Sequence, residues 1–477
     1  MENEEKKLIK NTFILGIGQF FPKLVALAIL PILTACFTTS EYGIYDLIIS
    51  FSSLALPIMT LLIQQGVFRY LIQEKESQEI ESYISSTLAS FFGISLIFFT
   101  VFCILMNGFS INNRIFYAVF FLYFAESLYD ILGQISRGFG NNKLYSISTI
   151  VFSGANLIGI LALFFVQNIN IESVIIILTI AYLFACLYTS MRLKLRKYVK
   201  WKKVNKKKIK ILLAYSMPII PSSISLWVVN LSDRLIITHL LGSEWNGIYA
   251  AANKIPNLLG MANSVFNLSW TESASRNVSQ KQSSEYYSKT LNKYISFLVG
   301  AFHIILCCSP LMYMLLINNK FHNGYNQLPI LFLGILFSSI VSFYGGIFVA
   351  LKKTKSVGFS SIMGAVINII INMSLANSIG ITAASISTVV SFMIVLIFRA
   401  VQLKKYITIE YDKKNLWISA ITITISVAAF YLNNFVGIVI GCIITIYYNG
   451  VYNETLKNLI YNIWNALNNK KQMHSKQ

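Results

Sequence analysis

The sequence predicts an all-α polytopic membrane protein of about fourteen transmembrane helices. They form two pseudo-twofold six-helix lobes plus two extra C-terminal helices, and both termini are cytoplasmic. Three observations predict this. The 477 residues are 55% hydrophobic and 12% charged, with mean hydropathy +0.62, whereas soluble domains carry about 25% charged residues. Fourteen apolar segments approach the roughly 20 residues that a spanning helix needs. Finally, 34 of the 39 Lys and Arg residues sit at or beyond one alternating set of segment ends.

In order, the segments are 11–35, 43–66, 84–106, 114–134, 144–166, 171–191, 211–239, 247–270, 291–317, 328–350, 357–377, 380–400, 415–432 and 435–450. The last two are separated by a gap of only two residues. Lys and Arg resist translocation, so the cation-rich side is cytoplasmic. Only Arg114 and Lys320 fall on the opposite side, and Lys23, Arg234 and Lys254 lie within segments. The formal charge of +20 is thereby explained by topology, and nucleic acid is excluded as a partner. The opening MENEEKKLIK lacks a small-residue cleavage site, so the first span is expected to act as its own insertion signal. The six cysteines show no CxxC or Cys/His spacing, so neither a disulfide framework nor a metal site is expected.

The chain repeats itself. Ser40-Glu41-Tyr42-Gly43-Ile44-Tyr45 after span 1 returns after span 7 as Ser243-Glu244-Trp245-Asn246-Gly247-Ile248-Tyr249, with one insertion. Pro22, Pro31 and Pro57 of spans 1 and 2 are answered by Pro218, Pro221 and Pro256 of spans 7 and 8. Lys143 and Asn156 are answered by Lys355 and Asn368. Each unit has an even number of spans, so the repeats are parallel and relate by an axis along the membrane normal. The expected divisions are an N-terminal lobe at 1–191, a basic cytoplasmic linker at 192–210, a C-terminal lobe at 211–400, helices 13 and 14 at 401–450, and a cytoplasmic tail at 451–477. The prolines bend or loosen their helices, either as hinges or as static kinks.

A Lys or Arg at a helix centre costs about 2.5–3.5 kcal/mol on insertion scales. Lys23, Arg234 and Lys254 all fall in the proline-bearing spans. Lining a central cavity that binds an anion is one reason for them; snorkelling or pairing with acids is the other. Asp233 cannot face the same direction as Arg234 and is expected to orient a cation on a neighbouring helix, with Lys254 the candidate. Glu126, Asp130, Gln134 and Arg137 share one face of span 4. Glu126 or Asp130 is a candidate for a coupling proton or cation, and the structural alternative pairs Asp130 with Arg137 or Lys23. Arg69 is a candidate cavity-mouth contact or a snorkelling residue. The linker, with eleven cations and no acid, is expected on anionic headgroups. Trp201, Trp245, Trp270 and Trp417 are expected at membrane interfaces. The histidines are expected to be inert.

The stretches SEYGIYDLIISFSSLALPIM (40–59), MPIIPSSISLWVVNLSDRLIITHLLG (217–242), NGIYAAANKIPNLL (246–259) and LKKTKSVGFSSIMGAVINIIIN (351–372) resemble bacterial polysaccharide-unit flippases. These are the O-antigen and capsule translocases of the multidrug/oligosaccharidyl-lipid/polysaccharide exporter superfamily. The resemblance implies two six-helix lobes with two added helices. It implies movement of undecaprenyl-pyrophosphate-linked oligosaccharide repeat units to the outer leaflet by alternating access in the bacterial inner membrane. Lys23, Arg234 and Lys254 would then attract the pyrophosphate, and helices 13 and 14 would guide the lipid tail. No enzyme activity and no cofactor is implied, although a proton or sodium gradient is a candidate driving force. Partners would be the lipid-linked glycan, the bilayer, and a polymerase with chain-length machinery. The alternatives are a lipid II or teichoic-acid precursor flippase and, in another class, a membrane polysaccharide polymerase or glycosyltransferase. The last needs acids at a membrane face, yet the longest outer loop, 318–327, has none.

Overall fold

A computed structural model describes residues 2–107, 113–277, 283–454 and 456–457. Among them the regular structure is helical throughout, and ten helices are long and apolar enough to cross a membrane. The chain divides into two compact units, 1–250 and 251–477.

The first unit begins with α1 (Glu2–Cys36), α2 (Thr39–Thr60) and α3 (Ile63–Leu71). Thr38 opens α2 with a capping box, bonding the Glu41 amide while Glu41 bonds back, which satisfies two otherwise orphaned donors. The segment at 43–66, read as one span, is in fact two helices. Leu61 and Leu62 both take left-handed backbone (φ 45° and 53°), at a cost of roughly 1–2 kcal/mol each. Thr60 partly mends the break, its hydroxyl accepting from the Leu62 amide at 3.1 Å. Next come α4 (Ser77–Asn107), α5 (Asn113–Gly138), α6 (Asn142–Phe165) and α7 (Ile171–Leu193). Hydroxyls join them: Ser148 bonds Thr189 at 2.7 Å, and Thr149 donates to the Gly18 carbonyl at 2.8 Å. Such bonds suit helices in lipid, where packing and polar contacts replace the hydrophobic drive.

The basic linker is docked on protein. Its Lys200 and Asn205 amides donate to Ser85 and Ser86 of α4. Lys203 pairs with Glu81 at 2.7 Å, and Lys208, in α8 (Lys206–Ser216), pairs with Glu79. The acids that the linker lacks are thus supplied by the start of α4. The unit closes with α9 (Ile220–Leu240) and the first residues of α10 (Ser243–Asn253).

The second unit holds α11 (Asn257–Asn277), α12 (Ser283–Leu316), α13 (Leu328–Ala350), α14 (Thr354–Ile379), α15 (Thr382–Leu403), α16 (Lys413–Leu432) and α17 (Phe435–Val451). The segment at 247–270 is also two helices, interrupted at Lys254-Ile255-Pro256, where Pro256 lacks an amide to continue the ladder. Both repeats therefore break the corresponding helix. Trp270 is packed inside the protein. It is 2% exposed, stacks on Phe343 with ring centroids 4.0 Å apart, and donates to the Phe343 carbonyl.

Arg399, which the sequence groups with the cytoplasmic cations, is 3% exposed. It donates to Ser360 Oγ, Ser361 Oγ and the carbonyls of Val341 and Val357, which ties α13, α14 and α15 together. The added helices α16 and α17 meet at Asn433, left-handed at φ 48°, and at Asn434, which caps α17. Buried polar contacts fix them to α12. His303 bonds Thr422 and Ser426, Asn415 donates to Ser296, and Asn449 donates to the Gly300 carbonyl. His303 is thus a structural fastener.

Candidate functional site

The two repeat copies of the Ser-Glu-aromatic motif meet in the first unit. Ser40 and Ser243 hydroxyls bond each other at 2.6 Å, and Asn246 donates to the Gly43 carbonyl at 2.9 Å. A Cβ on Gly43 would overlap the Ser243 carbonyl and lie 2.9 Å from the Gly247 amide. A Cβ on Gly247 would overlap the Thr39 carbonyl and lie 2.9 Å from the Gly43 amide. This is a self-complementary crossing of α2 and α10, the arrangement that a twofold relation between repeats produces. Glycine is required because the backbones touch.

One turn along α2 lies the charge centre. Arg234 Nε is 2.8 Å from Asp46 Oδ2, and Arg234 Nη1 donates to Ser50 Oγ at 2.8 Å. The Asp46 side chain is 5% exposed and that of Arg234 is 22% exposed. The neighbouring Asp233 is buried and accepts from the Tyr249 hydroxyl at 3.4 Å. Consecutive residues of α9 therefore serve different partners, as their roughly 100° separation requires. Lys23 is half-buried on α1, Lys254 sits at the α10–α11 interruption in the second unit, and Arg69 is exposed at the end of α3.

The span 4 stripe is also assembled. Glu126 of α5 lies beside the hydroxyls of Ser52 and Tyr182. Asp130 is flanked by Gln64 and Gln134, within the field of Arg137. Arg137 donates to Gln134 at 3.1 Å and lies over the rings of Phe68 and Tyr145. Gln64, just after the break in span 2, is fully buried, and among the described residues neither of its amide atoms makes an aligned hydrogen bond. A buried amide beside two carboxyl groups makes this place polar.

Sequence reading missed Asp46, Ser50 and Gln64. The signal for Asp46 was present, because a carboxylate inside an apolar span is as costly as the cations that were noticed. In the second unit a groove of about 260 Å³ is lined by His303, Cys307, Pro310, Tyr325, Phe430 and Phe435 among others, with no Lys or Arg. It is apolar and unsuited to a pyrophosphate.

Residues 8–272 match the model of a family described as polysaccharide biosynthesis protein, and residues 218–374 match the MatE model. Among solved structures, the chain is similar to the lipid II flippase MurJ in an inward closed conformation. The identity is 15%, covering 93% of this chain and 99% of that one, with TM-score 0.71. It is also similar to a multidrug resistance MATE family transporter of the MOP superfamily in an outward-facing conformation (14% identity, 83% and 94% covered, TM-score 0.59). A third likeness is to a MOP superfamily transporter from Pyrococcus furiosus whose binding pocket has reversed polarity (13% identity, 83% and 95% covered, TM-score 0.58). Among curated proteins none matches.

Proposed function

Since the chain belongs to the polysaccharide biosynthesis protein family, we propose that it is a flippase for undecaprenyl-pyrophosphate-linked oligosaccharide repeat units. It carries them from the cytoplasmic to the outer leaflet by alternating access, and it is a transporter rather than a polymerase or glycosyltransferase. The observation that carries this reading is the set of cations inside apolar segments of the sequence: Lys23 on α1, Arg234 on α9 and Lys254 at the break between α10 and α11. A pyrophosphate leaving water needs several donors and positive charge. A carrier of organic cations needs the opposite polarity.

The lipid tail stays in the bilayer, and the apolar groove beside α12 and α17 has the chemistry to hold part of it. Glu126 and Asp130, with the buried Gln64 beside them, form the candidate place for a coupling proton or sodium ion. A second reading, lipid II as the cargo, draws on the likeness to a lipid II flippase and shares the pyrophosphate chemistry.

Native mass spectrometry tests the reading. The purified chain should retain a polyprenyl-pyrophosphate oligosaccharide in preference to the monophosphate, and Lys23→Ala, Arg234→Ala and Lys254→Ala should each weaken retention. Equal retention of both lipids by all four proteins would refute the cationic site. Preferential retention of lipid II would favour the second reading.

A further inference from the structure

Gly43, Asp46 and Ser50 follow at spacings of three and four along α2 and so share one face. Gly43 meets the backbone of α10, while Asp46 and Ser50 hold Arg234 of α9. The glycine crossing and the ion pair are therefore one continuous contact. The two charges are unequally sheltered. Asp46 is sealed at 5% exposure, whereas Arg234 keeps 22% of its surface open. Arg234 is thus the more open partner of the pair, although its Nε is closed off against Asp46.

In the closed contact Asp46 already offsets the positive charge of Arg234. A pyrophosphate brings more negative charge and more acceptor oxygens than one carboxylate and can compete for the guanidinium. The displaced carboxylate is the constraint. Left buried without its partner it would be strongly destabilising, so Asp46 can yield Arg234 only if α2 parts from α9 and lets water in. We propose that Asp46 is the exchangeable counter-ion of Arg234. The anionic headgroup takes Arg234 from Asp46, and that exchange loosens the Gly43–Gly247 crossing one turn away. Binding and opening are then a single event, with Asp46 as a positioning residue. This rests on the cationic-site reading above.

The test uses the full chain in nanodiscs with inorganic pyrophosphate as probe. Binding is measured calorimetrically for the native chain and Asp46→Asn. Opening is measured by disulfide formation between Ser40→Cys and Ser243→Cys, with the six native cysteines replaced by serine. Exchange requires Asp46→Asn to bind pyrophosphate about ten-fold tighter, within the usual range of coupling between linked equilibria. It also requires pyrophosphate to lower the disulfide yield when Asp46 is present, and a low yield in Asp46→Asn from the start. Ser50→Ala, a smaller change, should shift both readouts in the same direction and serves if Asp46→Asn is not monodisperse. Weaker binding by Asp46→Asn would mean that Asp46 merely orients Arg234, which overturns exchange and leaves the cationic site standing. Tighter binding with an unchanged disulfide yield overturns the link to opening. No binding by either protein sinks the cationic site, and exchange falls with it.

Discussion

Gly43→Ala should wedge open the crossing of α2 and α10. The added methyl would overlap the Ser243 carbonyl and sit 2.9 Å from the Gly247 amide, whereas carbon and oxygen normally rest about 3.3 Å apart or more even in close helix contacts. The opposing atoms are backbone, so no side chain can swing aside, and the helices must separate by about 1 Å or more. Overpacking of this kind costs about 1–3 kcal/mol. Gly247→Ala makes the reciprocal clash, with the Thr39 carbonyl, and should cost the same. Once one methyl has parted the helices the second finds space, so the double variant should lose much less than the sum. The assay is thermal unfolding of the four proteins, paired with labelling of Ser40→Cys by a membrane-impermeant thiol reagent. Labelling should rise in each single variant. Additive losses, or labelling that does not change, would refute the reciprocal crossing.

Three further outcomes follow from the packing. Arg399→Met should lower stability by about 3 kcal/mol, as loss of a buried charged donor does. Arg399→Lys should rescue little, because one ammonium cannot replace a fork that serves four acceptors; full rescue in a melting experiment would contradict this. His303→Ala should cost about 1–2 kcal/mol through its two lost hydroxyl partners and speed hydrogen exchange in α16 while α4 keeps its protection. Gln64→Leu should leave stability unchanged or raised, since a buried amide without aligned partners among the described residues is replaced by an apolar group of similar size. If Gln64 helps hold a coupling ion beside Asp130, that variant flips without response to an imposed gradient.

Much of the fold was legible because the bilayer imposes length, hydropathy and cation asymmetry on every span. The repeat was legible in Ser40 to Tyr45 and Ser243 to Tyr249, and its two glycines proved to be the crossing itself. The breaks at Leu61-Leu62 and Lys254-Pro256 were only half visible. Pro256 marks one, but two leucines in left-handed backbone carry no local signal and are imposed by tertiary packing. At the site, Arg234 was found because a cation in an apolar helix is conspicuous, whereas its partner Asp46 was hidden by a separation of 188 residues that periodicity cannot bridge. The fastening role of Arg399 was missed for a related reason. Arg399 sits four residues from the end of α15, a position where sequence alone favours snorkelling, while four acceptors from two other helices draw it inward.

Translocation itself is the most direct measurement. Proteoliposomes holding the native chain and a fluorescent polyprenyl-pyrophosphate oligosaccharide should show protein-dependent movement between leaflets, read by quenching from one side. Lys23→Ala, Arg234→Ala and Lys254→Ala, monodisperse and reconstituted to equal density, should each reduce the rate by ten-fold or more. Movement that survives all three substitutions would discard the cationic site, and no movement by the native chain under any imposed gradient would contradict the flippase itself.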